Sequence, residues 1–92
     1  MKIGDKVRWT SQSQGSWKEK RGTLKMIVEA EQDATVHLPL GLPKSRFKGE
    51  RYSQTRRALV EVHRGGKSNL SDYYAPRLTA LELDEEGQQH AN

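Results

Sequence analysis

Apolar and polar residues alternate over five short stretches of this chain, and no stretch holds a helical period across 11 residues. Residues 6–10 put Val7 and Trp9 on one face of a strand, and residues 23–29 do the same with Leu24, Met26 and Val28. Residues 58–63 align Ala58, Val60 and Val62; residues 72–75 form a tyrosine run; residues 80–83 offer Leu81 and Leu83. Gly4-Asp5 precedes the first stretch, residues 12–16 with Gly15 form the turn after it, and Pro76-Arg77-Leu78-Thr79 has the form of a single tight 3₁₀ turn. The pattern predicts an all-β protein, a small and strongly bent antiparallel barrel of about five strands formed by residues 1–83.

Two segments interrupt this alternation. Arg64-Gly65-Gly66-Lys67-Ser68 has the outline of a phosphate-binding loop, but Glu61 stands where such a loop needs its first glycine, and Pro76 stops a helix from forming behind it. Flanked by strand patterns, the Gly-Gly pair is expected to connect a β-hairpin. The second interruption, residues 30–57, is far longer than the usual connection of about 4–6 residues. Residues 35–38 could add a short strand, and Pro39 and Pro43 exclude a helix between them. Between Lys44 and Arg57 lie six basic residues and one acid, with Phe47 and Tyr52 interleaved, so a basic inserted loop is expected.

Charge changes the picture more than length does. The chain has 92 residues and a net charge of +4, but residues 82–92 hold four of its 12 acids and no Lys or Arg. The first 81 residues therefore carry 16 basic against 8 acidic side chains, or +8, a plausible footprint for a polyanion. Residues 84–92 are expected to be a disordered acidic and polar tail. Without cysteine there can be no disulfide or thiolate metal site. No apolar run is long enough for a membrane span or a signal peptide, so a cytoplasmic location without membrane contact is expected.

Catalytic chemistry finds no foothold. His37, His63 and His90 are separated by 26 and 27 residues, without the close spacing that metal ligands need, so no metal is expected. No serine lies in a nucleophile elbow and no carboxylate pair can be argued from spacing, so neither an enzyme nor a cofactor is expected. The aromatics carry more. Tyr73 and Tyr74 are neighbours on a strand and must point to opposite faces, so one is expected to pack inward and the other to lie at the surface. Trp17, in a turn and followed by Lys18, Lys20 and Arg21, is also expected at the surface, whereas Trp9 belongs to the core. An exposed ring among cations can stack on a nucleobase while the cations hold phosphates. It can equally cover the end of a small barrel.

Gly4-Asp5-Lys6-Val7-Arg8-Trp9, followed by Gly15-x-x-Lys18-x-x-x-Gly22-Thr23-Leu24, resembles the KOW-type and Tudor-like members of the SH3-like small barrels. Glu19 stands where the KOW motif has a glycine. The resemblance implies an SH3-like barrel with a long inserted loop and, for KOW domains, contact with RNA or ribosomal partners. Together these features point to a non-catalytic binding module, monomeric or homodimeric, contacting nucleic acid through Trp17, Lys18, Lys20, Arg21, Lys44, Arg46, Lys48, Arg51, Arg56, Arg57, Arg64, Lys67 and Tyr73. The alternative is a protein-interaction module that takes a peptide or an acidic protein partner in an aromatic groove. Leu38, Leu40 and Leu42 would be a liability unless packed on the barrel or on another subunit.

Overall fold

The computed structural model describes residues 1–13 and 15–85. The expected turn at Gly15, which takes a positive φ of 79°, joins two strands longer than their apolar alternation suggested: β1 (Lys6–Ser13) and β2 (Ser16–Val28). β4 (Arg57–His63) pairs antiparallel with β2, and β5 (Ser71–Tyr74) pairs antiparallel with β4. The Gly-Gly segment does connect this last hairpin: Gly65 and Gly66 both take positive φ, which glycine adopts without steric cost, and Arg64 N–H donates to Leu70 O at 3.0 Å. A short 3₁₀ helix, η3 (Leu78–Ala80), returns the chain so that β6 (Glu82–Leu83) pairs with β1. Inside the insertion lie two further 3₁₀ helices, η1 (Ala34–His37) and η2 (Lys44–Arg46), and the two-residue strand β3 (Phe47–Lys48), parallel to β5.

The protein is thus all-β, with one six-stranded sheet in the order β3-β5-β4-β2-β1-β6. Two expectations need correction. There is a sixth strand, because the insertion contributes an edge, and the sheet is not closed into a barrel: β3 and β6 remain at its two ends. Residues 35–38 do not form an extra strand but lie largely in η1, where Asp33 caps the turn by accepting from Thr35 N–H at 2.9 Å and Thr35 Oγ1 at 2.6 Å.

The sheet is covered on both faces. On the first face Val7, Trp9, Leu24, Ala58, Val60 and Leu81 are buried together, with Val62, Tyr74 and Leu78 packed against them. On the second face Val28, Ala34, Leu59 and Tyr73 are buried, with Met26, Leu38, Leu42 and Phe47 around them. Arg57, Ala58, Leu59 and Val60 are therefore all buried, as a strand with both faces covered must be. A β-bulge between Leu24 and Met26 explains why Leu24, Met26 and Val28 do not share one face as expected. One extra residue, Lys25, reverses the alternation, so Leu24 packs in the first core and Met26 and Val28 in the second.

Close approach holds the bent centre together. A Cβ on Gly22 would overlap the carbonyl oxygen of Glu61 and stand 2.7 Å from Val60 Cγ1, so β2 crosses β4 where only glycine fits. The insertion is held just as firmly. Ala34 N–H donates to Arg51 O at 2.9 Å and Glu31 N–H to Ser53 O at 2.7 Å. The buried Arg57 guanidinium donates to the carbonyls of Glu50, Gln32 and Arg51. Of the expected tail, Asp84 is buried, donates its N–H to Lys6 O at 2.8 Å and stands 3.8 Å from Arg21, so it belongs to the sheet edge; residues 86–92 lie outside the described residues.

Candidate functional site

Register decides which of the sequence-adjacent basic and aromatic residues meet in space. β1 pairs with β2 so that Trp9 faces Lys20 and Ser11 faces Lys18. Directly paired residues share a face, so Lys18 and Lys20 stand beside Trp9 on the first face. Trp17, Glu19 and Arg21 alternate onto the other. Trp17 is exposed, as expected, yet it lies in β2 and not in a turn, and it points away from the lysines that follow it in sequence. On that face the charges are paired: Arg21 with Glu19 at 3.5 Å, and Arg8 with Glu82 at 3.2 Å.

The tyrosines separate in the same way. Tyr73, expected among the binding residues, is buried in the second core and is withdrawn as a contact, because the insertion covers the face that a bare sheet would leave to solvent. Burial pushes its hydroxyl up from the usual phenol range, and the neighbouring Glu61 carboxylate adds to this. Tyr74 packs on the first core, its ring edge-on to Trp9 at 5.8 Å between centroids, and remains half-exposed. Lys20 Nζ sits 4.7 Å above the Tyr74 ring, a cation–π contact.

These residues line an open cleft of about 430 Å³ formed by Trp9, Ser11, Lys18, Lys20, Lys48, Tyr74, Ala75 and Pro76. β3 supplies Lys48: in a strand Phe47 and Lys48 point to opposite faces, so Phe47 enters the second core and Lys48 reaches the cleft. Three lysines from two distant parts of the chain thus line one cleft with two aromatic residues, with no acid in the lining.

The arginines behave differently. Arg46 Nε donates to Ser71 O at 2.8 Å, Arg51 pairs with Asp33 at 2.8 Å, Arg56 forms a two-bond pair with Glu29, and Arg64 does so with Asp72. Arg57 is buried among carbonyls. As a phosphate contact Arg57 is therefore withdrawn, and the others are engaged within the fold. A planar fork of donors suits such bidentate contacts, whereas a lysine ammonium on a flexible stem stays hydrated at the surface. The side chains of Lys18, Lys44, Lys48 and Lys67 make no hydrogen bond or ion pair among the described residues. Lys44 and Lys67 lie outside the cleft.

Of the cleft's residues, the sequence had singled out Lys18, Lys20 and Lys48, had assigned Trp9 to the core alone, and had left Tyr74 open against Tyr73. The signal for Tyr74 was present in its pairing with Tyr73, and only the identity of the covered face was lacking. Among the described residues no group of three His, Cys, Asp or Glu converges as a metal site, and no helix is long and apolar enough to cross a membrane. His37 is exposed, His63 Nδ1 lies 3.2 Å from Ser71 Oγ, and His90 lies outside the described residues.

No family model matches this sequence, and neither a curated protein nor a solved structure resembles it closely enough to count as a match.

Proposed function

We propose that this chain is a non-catalytic binding module that contacts nucleic acid through the Trp9–Tyr74 cleft, Lys18, Lys20 and Lys48 holding phosphates while a base meets the Tyr74 ring. The observation that carries the reading is the convergence of three lysines on an aromatic cleft whose lining contains no acid. Base faces are hidden within a duplex, so a ring set in a cleft favours a single strand or a splayed-out base. Phosphate would also draw Lys20 off the Tyr74 ring that it now covers, opening the stacking surface. We further read the sheet as an opened SH3-like barrel: hairpin-linked strands are followed by a 3₁₀ turn and a short last strand that returns to β1.

The test compares Lys18→Gln/Lys20→Gln/Lys48→Gln with an equally charge-depleted control, Lys2→Gln/Lys44→Gln/Lys67→Gln, against single-stranded oligonucleotides at two salt concentrations. The cleft variant should lose at least tenfold in affinity, and its salt slope should flatten by about 2, since each lost phosphate contact on a single strand removes about 0.7. Equal losses in the two variants would reduce the interaction to net charge and refute the site.

One observation favours a second reading. Lys20 occupies the open ring face in this state, so the lysines alone could hold an acidic peptide. An abasic oligonucleotide separates the two: it binds more weakly than its base-bearing counterpart if stacking contributes, and equally well if the cleft recognises only negative charge.

A further inference from the structure

The insertion carries a second concavity that shares no residue with the Lys18–Lys20–Lys48 cleft. About 680 Å³ in volume, it is walled by Val36, Leu38, Leu40, Leu42, Pro43 and Phe47. Its floor is rigid for a physical reason: Leu38, Leu42 and Phe47 pack from beneath against the second core, so the groove is the outer side of a layer anchored on the sheet. Its rim is not used by the fold. Leu40 is 104% exposed and Val36 69%, so neither contributes burial to this chain. Side chains of this kind, exposed together beside a groove, mark a surface that another molecule covers.

The occupant is set by charge. Lys44 and Arg51 are the charged residues of the lining, and no acid is among them. Arg51 is already bound to Asp33, whereas Lys44 has no ion pair among the described residues. A second copy of this chain would bring the same cations face to face, on bodies that each carry +8 over residues 1–81. A bilayer surface is flat, and this surface is concave. The acidic end of the chain, Asp84-Glu85-Glu86-Gly87-Gln88-Gln89-His90-Ala91-Asn92, lacks a large apolar side chain to fill the groove.

We propose that this groove docks a short segment of another protein that carries large apolar side chains next to carboxylates, the apolar groups entering between Leu40 and Val36 and a carboxylate pairing with Lys44. The surface joins the insertion to a partner protein while the cleft on the sheet's first face remains open for its own ligand.

The test is NMR titration of the ¹⁵N-labelled protein with three soluble ten-residue peptides, built from leucine with glutamate, leucine with lysine, and serine with glutamate. The leucine–glutamate peptide should shift the amides of residues 35–44, with the leucine–lysine and serine–glutamate peptides at least tenfold weaker. Leu40→Ser and Lys44→Glu should each weaken the leucine–glutamate peptide at least fivefold. Both positions are exposed, so melting temperatures should match the parent and confirm that the fold is retained. Equal binding of the serine–glutamate peptide, shifts centred on Lys18 and Lys20, or binding indifferent to both substitutions would overturn the proposal. So would concentration-dependent self-association abolished by Leu40→Ser, which assigns the groove to a second copy, or Leu40-dependent binding to phosphatidylserine vesicles without peptide binding.

Discussion

The two faces of the sheet are closed by different parts of the chain, and they are closed to different extents. The first face is covered by the returning C-terminal segment, through Leu78 and Leu81, but beyond Trp9 it opens into the lysine-lined cleft. The second face is covered by the insertion, through Ala34, Leu38, Leu42 and Phe47, and the arginines of that region are turned inward or paired. A run that reads as a basic surface loop is thus largely a packing layer. Its arginines hold the layer in place, and one lysine, Lys48, is passed through to the opposite face.

The comparison breaks most clearly at Leu59, which is fully buried on the second face. Leu59→Ala should cost about 2–5 kcal/mol, as much as Leu24→Ala on the first face, because both remove a buried side chain and leave a cavity. Urea denaturation measures the pair; a Leu59→Ala cost below about 1 kcal/mol would mean that the insertion is not part of the core.

A smaller and more local effect is expected at Arg57. Arg57→Ala removes a charged donor from three carbonyls and should cost about 1.5–3 kcal/mol. Hydrogen exchange should then rise in residues 30–56 while the β1–β2 hairpin keeps its protection. A uniform rise across the chain would remove the distinction between clamp and core.

Acid sharpens the comparison further, because each face carries one stabilised carboxylate. Thr35 donors, followed by Arg51, hold Asp33 on the insertion below its ordinary value of 3.8, and Arg64 holds Asp72 below the same value. Both groups bind protons less readily in the folded state. Their contribution is therefore complete above about pH 4 and is lost as the pH falls through their lowered values. Little change is expected from these two groups between pH 7 and 5. Asp33→Asn should make the insertion less sensitive to acid while leaving the Asp72 step in place, as read by exchange of residues 30–56 against residues 64–72.

The smallest effect is expected at Trp17. Exposed and turned away from the cleft, it should change stability by no more than about 0.5 kcal/mol when replaced by alanine. Oligonucleotide affinity should be unchanged, and the remaining tryptophan, Trp9, should still report binding by quenching. A large loss of affinity in Trp17→Ala would move the binding surface to the other face of the β1–β2 hairpin.

Local chemistry was the legible part of this molecule. Alternation located β1, β4 and β5 to within a few residues, Gly65-Gly66 announced the hairpin, and Lys18, Lys20 and Lys48, which line the cleft, were among the cations singled out in the sequence. Those features depend on neighbours in the chain, so the sequence by itself determined them. It also required Tyr73 and Tyr74 to part company, since strand geometry allows nothing else. What each tyrosine met was a matter of tertiary structure: the insertion folded back on the second face, so both rings found cover in different cores. The same holds for the reversal of alternation at Lys25, which arises from how β2 bends across β4, and for the separation of Trp17 from Lys18. Whether a cation is spent inside the fold or left for a ligand depends on which carbonyls and carboxylates come within about 3 Å of it, and those partners lie up to 74 residues away along the chain.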